Sequence, residues 1–171
     1  MKVYFIGAGP GDPELITVKA QRIMKDCPIV LYAGSLVPRE ILSEVEETAL
    51  KIADTAHMDL DEIMVDIEAA HAADQNVARV HSGDPMLYGA IGEQIRRLEA
   101  RGIEYEIIPG VTAVSASAAW LGKELTLSGV SQTIILTRFS IKTPFPEREQ
   151  LPALAKSRAT LAIHLGVTHI H

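Results

Sequence analysis

The chain has 171 residues, 47% hydrophobic and 22% charged, a balance that excludes a disordered tail or a collagen-like rod. At this length roughly 68–70% of the extended surface can be buried, so a real core is possible in one domain, or in one domain plus part of another. A net charge of −6 without Lys/Arg runs argues against non-specific nucleic-acid binding, and the single cysteine, Cys27, cannot form an intrachain disulfide and points to a reducing cytoplasm.

Strand and helix patterns alternate from the N-terminus, which predicts an α/β fold with a parallel sheet. Lys2–Gly7 reads as a buried first strand; its apolar run is too short for a signal peptide. Thr17 caps a helix running to about Lys25, with Val18, Ile23 and Met24 facing inward. Ile29–Tyr32 is the second strand, Pro38–Glu44 a short helix with proline in its first turn, and Leu50–Ala53 the third strand. The clearest helix is 59–74, where Leu60, Ile63, Met64 and Ile67 fall on one face. Val77–His81 is the fourth strand. Ile91, Ile95 and Leu98 mark a helix ended by Gly102, and Glu104–Ile108 is the fifth strand. Thr112–Leu121, rich in Ala and Ser, should pack closely against its neighbours.

Residues 1–130 then form a first domain, with Gly122–Ser131 as a linker. Beyond it stand a strand at Thr133–Arg138, a proline-bearing loop at Lys142–Pro146, a helix at Glu147–Lys156 and a strand at Thr160–Leu165. Thr168 has the look of a helix cap. Residues 131–171 therefore read as the start of a second α/β domain that is cut short, with Ile134, Leu136, Leu161 and Ile163 left without apolar partners. No stretch of 18 consecutive apolar residues is present, so no membrane span is expected.

Three glycine-bearing loops sit at predicted strand ends. The first is Gly7-Ala8-Gly9-Pro10-Gly11-Asp12-Pro13. It fails as a dinucleotide fingerprint, because Asp12 stands where the third glycine belongs and Pro10 and Pro13 remove N–H donors that would cradle a phosphate. The second is His81-Ser82-Gly83-Asp84-Pro85 with Tyr88-Gly89, and the third is Pro109-Gly110-Val111-Thr112-Ala113. In an open parallel sheet such loops line one crevice. Asp84 has two readings, a hydrogen-bond acceptor for a ligand or an ordinary Asp-Pro turn. The six histidines offer no metal site: His57, His71 and His81 lack partners at ligand spacing, and His164, His169 and His171 have no supporting Cys or carboxylate. Cys27, before Pro28, reads as a small buried residue.

In these three loops, and in Leu125-Thr126, the sequence resembles the tetrapyrrole methylases. These enzymes use S-adenosylmethionine (SAM) to methylate corrin and sirohaem precursors, releasing S-adenosylhomocysteine (SAH). Residues 31–37, 81–90 and 131–138 are most similar to the branch acting at ring carbon 11; other branches act at C-2, C-20 or C-17. The resemblance implies a first domain with a five-stranded parallel sheet flanked by helices, a second domain with a mixed sheet, and SAM folded between them. It implies cofactor contacts at Pro10, Ser82, Gly83, Asp84, Leu87, Thr112, Ala113 and, in the second domain, Leu165. On that reading this chain alone does not turn over.

The substrate implied is an anionic tetrapyrrole, with Gly9, Gly11, Asp12 and Arg39 as its candidate contacts and Arg138 and Lys142 as further basic residues for its carboxylates. The resemblance also implies a cytoplasmic homodimer. Some relatives carry an aspartate after the tyrosine of the second strand as a proton acceptor; here Ala33 and Gly34 follow Tyr32, so no catalytic base is assigned. The competing readings are a nucleotide-binding oxidoreductase domain and a non-catalytic nucleotide-binding module.

Overall fold

The computed structural model describes residues 1–139 and 145–167. Lys142, Thr168, His169 and His171 lie outside them. By internal packing the chain divides into two compact units, Met1–Ala116 and Ser117–His171.

The first unit contains five strands: β1 (Lys2–Gly7), β2 (Ile29–Tyr32), β3 (Lys51–Asp54), β4 (Val77–His81) and β5 (Glu104–Ile108). They form one sheet in the order β3-β2-β4-β1-β5 with every pairing parallel. All five strands therefore end at the same edge. Between them run α1 (Val18–Asp26), α2 (Leu60–Ala72) and α3 (Ile91–Ala100), and α4 (Ala113–Leu121) follows β5. The five-stranded parallel sheet flanked by helices is the architecture expected from the sequence.

The sheet is covered on both faces. Ile6, Val30, Ala78 and Val80 pack with Ala20, Ile23 and Met24 of α1 and with Ile41, Leu42 and Val45. On the other face Val3, Phe5, Leu31 and Val77 pack with Ile63, Met64 and Ile67 of α2 and Ile91 and Leu98 of α3. Fully buried aliphatic side chains contribute about 1.5–3 kcal/mol each, so this double layer drives the fold. β4 lies at the centre of the sheet and is buried along its whole length.

The helix starts follow their caps. Thr17 accepts a hydrogen bond from the Ala20 amide at 3.1 Å, and Asp59 and Glu62 form a reciprocal capping box at the start of α2. Four expectations are corrected. Val18 is 82% exposed, because α1 turns Ala20, Ile23 and Met24 inward and its first residue falls on the solvent side. Pro38–Glu44 holds only a short 3-10 turn, Arg39–Leu42. Glu147–Lys156 is not one helix but a 3-10 turn, Glu147–Glu149, and α5 (Leu151–Ala155), broken at Gln150. Pro152, lacking an N–H, is tolerated only in a first turn, so the helix restarts there. Finally, α4 carries no buried residue, and Trp120 is 86% exposed.

In the second unit β6 (Ile134–Arg138) and β7 (Thr160–His164) pair in parallel. Ile134, Leu136 and Ile163 are exposed. No helix of the described residues is long and apolar enough to cross a membrane.

Candidate active site

The three glycine loops converge at the C-terminal edge of the first unit's sheet, and backbone atoms fasten them together. Because β1 lies between β4 and β5, the loop leaving β1 runs beside the other two. The Ala8 amide donates to the His81 carbonyl at 2.8 Å. Gly9 and Gly83 form an antiparallel bridge: Gly83 N–H donates to Gly9 C=O at 2.7 Å, and Gly9 N–H to Gly83 C=O at 3.2 Å. A Cβ at Gly7 would lie 2.6 Å from both Gly110 N and Gly83 O. A Cβ at Gly110 would collide with the same Gly83 carbonyl and with Gly7. Glycine is required at Gly7 and Gly110 by this mutual approach.

Asp84 completes the junction. Its Oδ2 accepts from the Gly110 amide at 3.1 Å, tying the second loop to the third, and its Oδ1 accepts from the Met86 amide at 2.8 Å within its own loop. Of the two roles open to Asp84 in the sequence, the geometry shows the loop-forming one. Both oxygens are engaged by backbone donors, as is typical of a carboxylate that fixes a turn.

Gly83 differs from the other two glycines. It is left-handed at φ +60°, and a Cβ there would meet only the Val111 carbonyl, at 4.0 Å. Its Cβ side is open space. A ligand can therefore approach the Gly83 backbone from this side. Ser82 and Leu87 are half-buried beside it in sequence, Pro10 is half-buried, and Thr112 precedes the exposed Ala113 at the start of α4, where the Thr112 hydroxyl lies 3.4 Å from the Ser115 amide. Leu165, in the second unit, is exposed just after β7, with a positive φ of 56°.

The candidate substrate contacts lie in the first unit. Gly9 is in the junction itself. Gly11, at φ +119°, has Pro38 as its near neighbour, at 3.8 Å from a Cβ built there. Asp12 accepts from the Glu14 amide at 2.9 Å and caps the 3-10 turn at Pro13–Leu15. Arg39 follows Pro38 and pairs with Glu46 at 3.1 Å, its side chain 82% exposed. Of the other basic residues singled out, Arg138 stacks 5.0 Å from the Phe145 ring centroid.

Two features of this edge escaped the sequence reading. Asp54, the last residue of β3, accepts from the Gly34 amide at 3.0 Å and the Ala56 amide at 2.8 Å, and its carboxylate fills the space a Cβ at Gly34 would need. It thus shapes the turn that follows Tyr32. Beneath the second loop, Arg79 and His81 are both buried side chains of β4. The signal was a charge inside an otherwise apolar strand, Val77-Ala78-Arg79-Val80. Arg79 donates from Nε to Gln94 Oε1 at 3.2 Å and from Nη1 to the Leu31 carbonyl at 3.3 Å. Burial pulls its guanidinium down to about 10. Burial, and then the charge of Arg79, push the His81 imidazole down to about 3, so it is neutral, and its Nε2 has no partner among the described residues. Among the described residues no group of three or more His, Cys, Asp or Glu is placed to hold a metal ion.

Residues 2–171 match the family model described as tetrapyrrole (corrin/porphyrin) methylases. The chain belongs to the tetrapyrrole methylases. The precorrin-4 C(11)-methyltransferase of Pseudomonas aeruginosa is 61% identical over 170 residues, covering 99% of this chain and 67% of that protein. The cobalt-precorrin-4 C(11)-methyltransferase of Methanocaldococcus jannaschii is 48% identical, over 99% of this chain and 65% of that one. The X-ray structure of a cobalt precorrin-4 methyltransferase superimposes with a TM-score of 0.93 at 45% identity, covering 98% of this chain and 70% of the other. A uroporphyrin-III C-methyltransferase from Thermus thermophilus, complexed with SAH, superimposes at 0.77 with 31% identity, over 99% and 68%. This tetrapyrrole methylase chain thus spans about two thirds of the length of these relatives.

Proposed function

We propose that this protein is a SAM-dependent methyltransferase acting on carbon 11 of precorrin-4 or cobalt-precorrin-4, a step in cobalamin biosynthesis. The relatives named above carry that activity in their names, and the observation that supports a cofactor site here is the open Cβ side of Gly83 within the three-loop junction. On this reading Pro10, Ser82, Gly83, Leu87, Thr112 and Ala113 hold SAM, Asp84 acts there by fixing the loops that carry them, and Gly9, Gly11, Asp12 and Arg39 contact the anionic tetrapyrrole.

When bound, SAM supplies a methyl group already activated on a sulfonium and leaves as a neutral thioether. What the protein must add is position. Its loops are fixed by backbone hydrogen bonds and by the Asp84 carboxylate, so little conformational freedom is lost when the reactants meet. Both oxygens of Asp84 are already engaged with backbone amides, which suits it to holding the walls of the site. The same reading makes the protein a cytoplasmic homodimer, which sedimentation of the purified protein checks.

The test is calorimetric titration with SAH, NAD and ATP, followed by transfer of labelled methyl from SAM to precorrin-4. SAH should bind and the two nucleotides should not. Binding of NAD or ATP without SAH would overturn the assignment in favour of a nucleotide-binding module.

A further inference from the structure

Buried charges in proteins are ordinarily paired, because taking an unpaired ion out of water is costly. Arg79 breaks that rule. Its side chain is 4% exposed, its two hydrogen bonds go to a neutral amide and a backbone carbonyl, and it has no ion-pair partner among the described residues. The residue next but one, His81, is 5% exposed and does not compensate it: the imidazole is neutral, and one of its nitrogens is unpartnered among the described residues. Arg79 stands opposite Phe5 of β1 and Leu31 of β2, two residues before β4 ends and the Ser82–Asp84 loop begins. A strand rises about 3.3 Å per residue, so the Arg79 backbone lies roughly 7 Å below the strand's end, and its guanidinium reaches sideways from there to the Leu31 carbonyl of β2 and to Gln94 of α3.

We infer that Arg79 is a specificity-determining residue: an uncompensated cation under the floor of the cofactor site that disfavours cationic SAM relative to the neutral thioether product. The inference rests on the cofactor assignment above. The sulfonium carries the unit of charge by which SAM differs from SAH, so a fixed positive charge below the site acts on one ligand and not on the other. It makes the product the better ligand. Low-dielectric walls preserve the effect, because Arg79 is out of reach of screening solvent.

The test is the ratio of dissociation constants for SAM and SAH, measured by calorimetry at pH 7 on the full chain. Damage to folding weakens both ligands alike and leaves this ratio unmoved, whereas loss of the charge shifts it. In Arg79→Gln the ratio should move toward SAM by about five- to twentyfold, the Coulomb effect of one charge at about 10–15 Å with an effective dielectric of about 20. A ratio in folded Arg79→Gln within twofold of wild type would overturn the role of Arg79 while leaving the cofactor site standing. Failure of the wild-type protein to bind either ligand overturns both. Should Arg79→Gln not fold, Gln94→Glu decides: it sets a carboxylate at the Arg79 Nε in place of the amide 3.2 Å away and compensates the cation, so the ratio should move toward SAM, and an unchanged ratio refutes the inference.

Discussion

Replacing Gly7 by alanine tests the three-loop junction at its tightest point. The new methyl would lie 2.6 Å from Gly110 N, 2.6 Å from Gly83 O and 2.7 Å from Gly110 Cα. All three are backbone atoms of other loops, so none can swing aside as a side chain would. The strain of forcing a methyl into a packed site is about 1–3 kcal/mol. Displacing Gly110 also breaks its amide's bond to Asp84, a charged hydrogen bond worth about 1.5–3 kcal/mol. The expected loss is therefore about 2.5–6 kcal/mol, a large share of the roughly 5–15 kcal/mol typical of a folded domain. Gly83→Ala is the control for stability alone, since its methyl points into the proposed cofactor space. There the methyl meets open space, and only the left-handed φ of +60° counts against it, at about 1–2 kcal/mol. With two compact units, global unfolding is not one transition, so native-state hydrogen exchange of the Ala8 and Gly9 amides is the appropriate readout, alongside SAH titration. If Gly7→Ala leaves the protection of those amides within about 1 kcal/mol of wild type and SAH affinity unchanged, the loops do not meet as described.

His81 should make stability pH-dependent. Its folded value, held down near 3, lies below the ordinary 6.5, so the unfolded chain takes up a proton first as pH falls, and stability present above pH 6.5 is lost between 6.5 and 3. The contribution is as much as about 5 kcal/mol, and the loss of native-state hydrogen-exchange protection in the first unit's sheet between pH 7 and pH 5 should shrink in His81→Phe; an unchanged loss would refute it. Cys27, 2% exposed and with its thiol raised to about 12 by burial and then by Asp26, should resist maleimide in the native protein and react fully in denaturant. Gly34→Ala should cost about what Asp54→Ala costs, because the methyl displaces the Asp54 carboxylate from the Gly34 and Ala56 amides. The two substitutions should be strongly non-additive in a double-mutant cycle of native-state hydrogen-exchange protection in the first unit, and simple additivity would show that the carboxylate is not the obstacle.

Much of the first unit was legible in the sequence because local signals and tertiary packing agree there. β1, β2, β4 and β5 run over the residues that their apolar runs predicted, and α2 follows its heptad-like face from a capping box. Where the two diverge, the sequence misleads. Val18 looks like part of a core face but precedes the turn that buries Ala20 and Ile23. α4 has the small residues of a packed helix and yet buries none of them. The site loops were visible as glycine clusters at strand ends. Their fastening was not, because it depends on pairings between residues far apart in the chain, Gly9 with Gly83 and Gly110 with Asp84. Asp54 was hidden for a related reason, because it acts on a turn belonging to another strand, whereas Arg79 was visible as a charge in an apolar strand but its lack of an ion-pair partner was not.

The Gly9–Gly83 bridge has a consequence for how this scaffold can diverge. The crevice walls are joined through main-chain atoms, so most side chains along them can change without altering its outline. An inserted or deleted residue is another matter. One extra residue between Gly7 and Gly9 would slide the first loop out of register with the second and pull on the third through Asp84. Point substitution is thus open at positions such as Ser82 and Leu87, whereas changes in loop length must be accommodated outside the junction, beyond Gly11 or past Ala113.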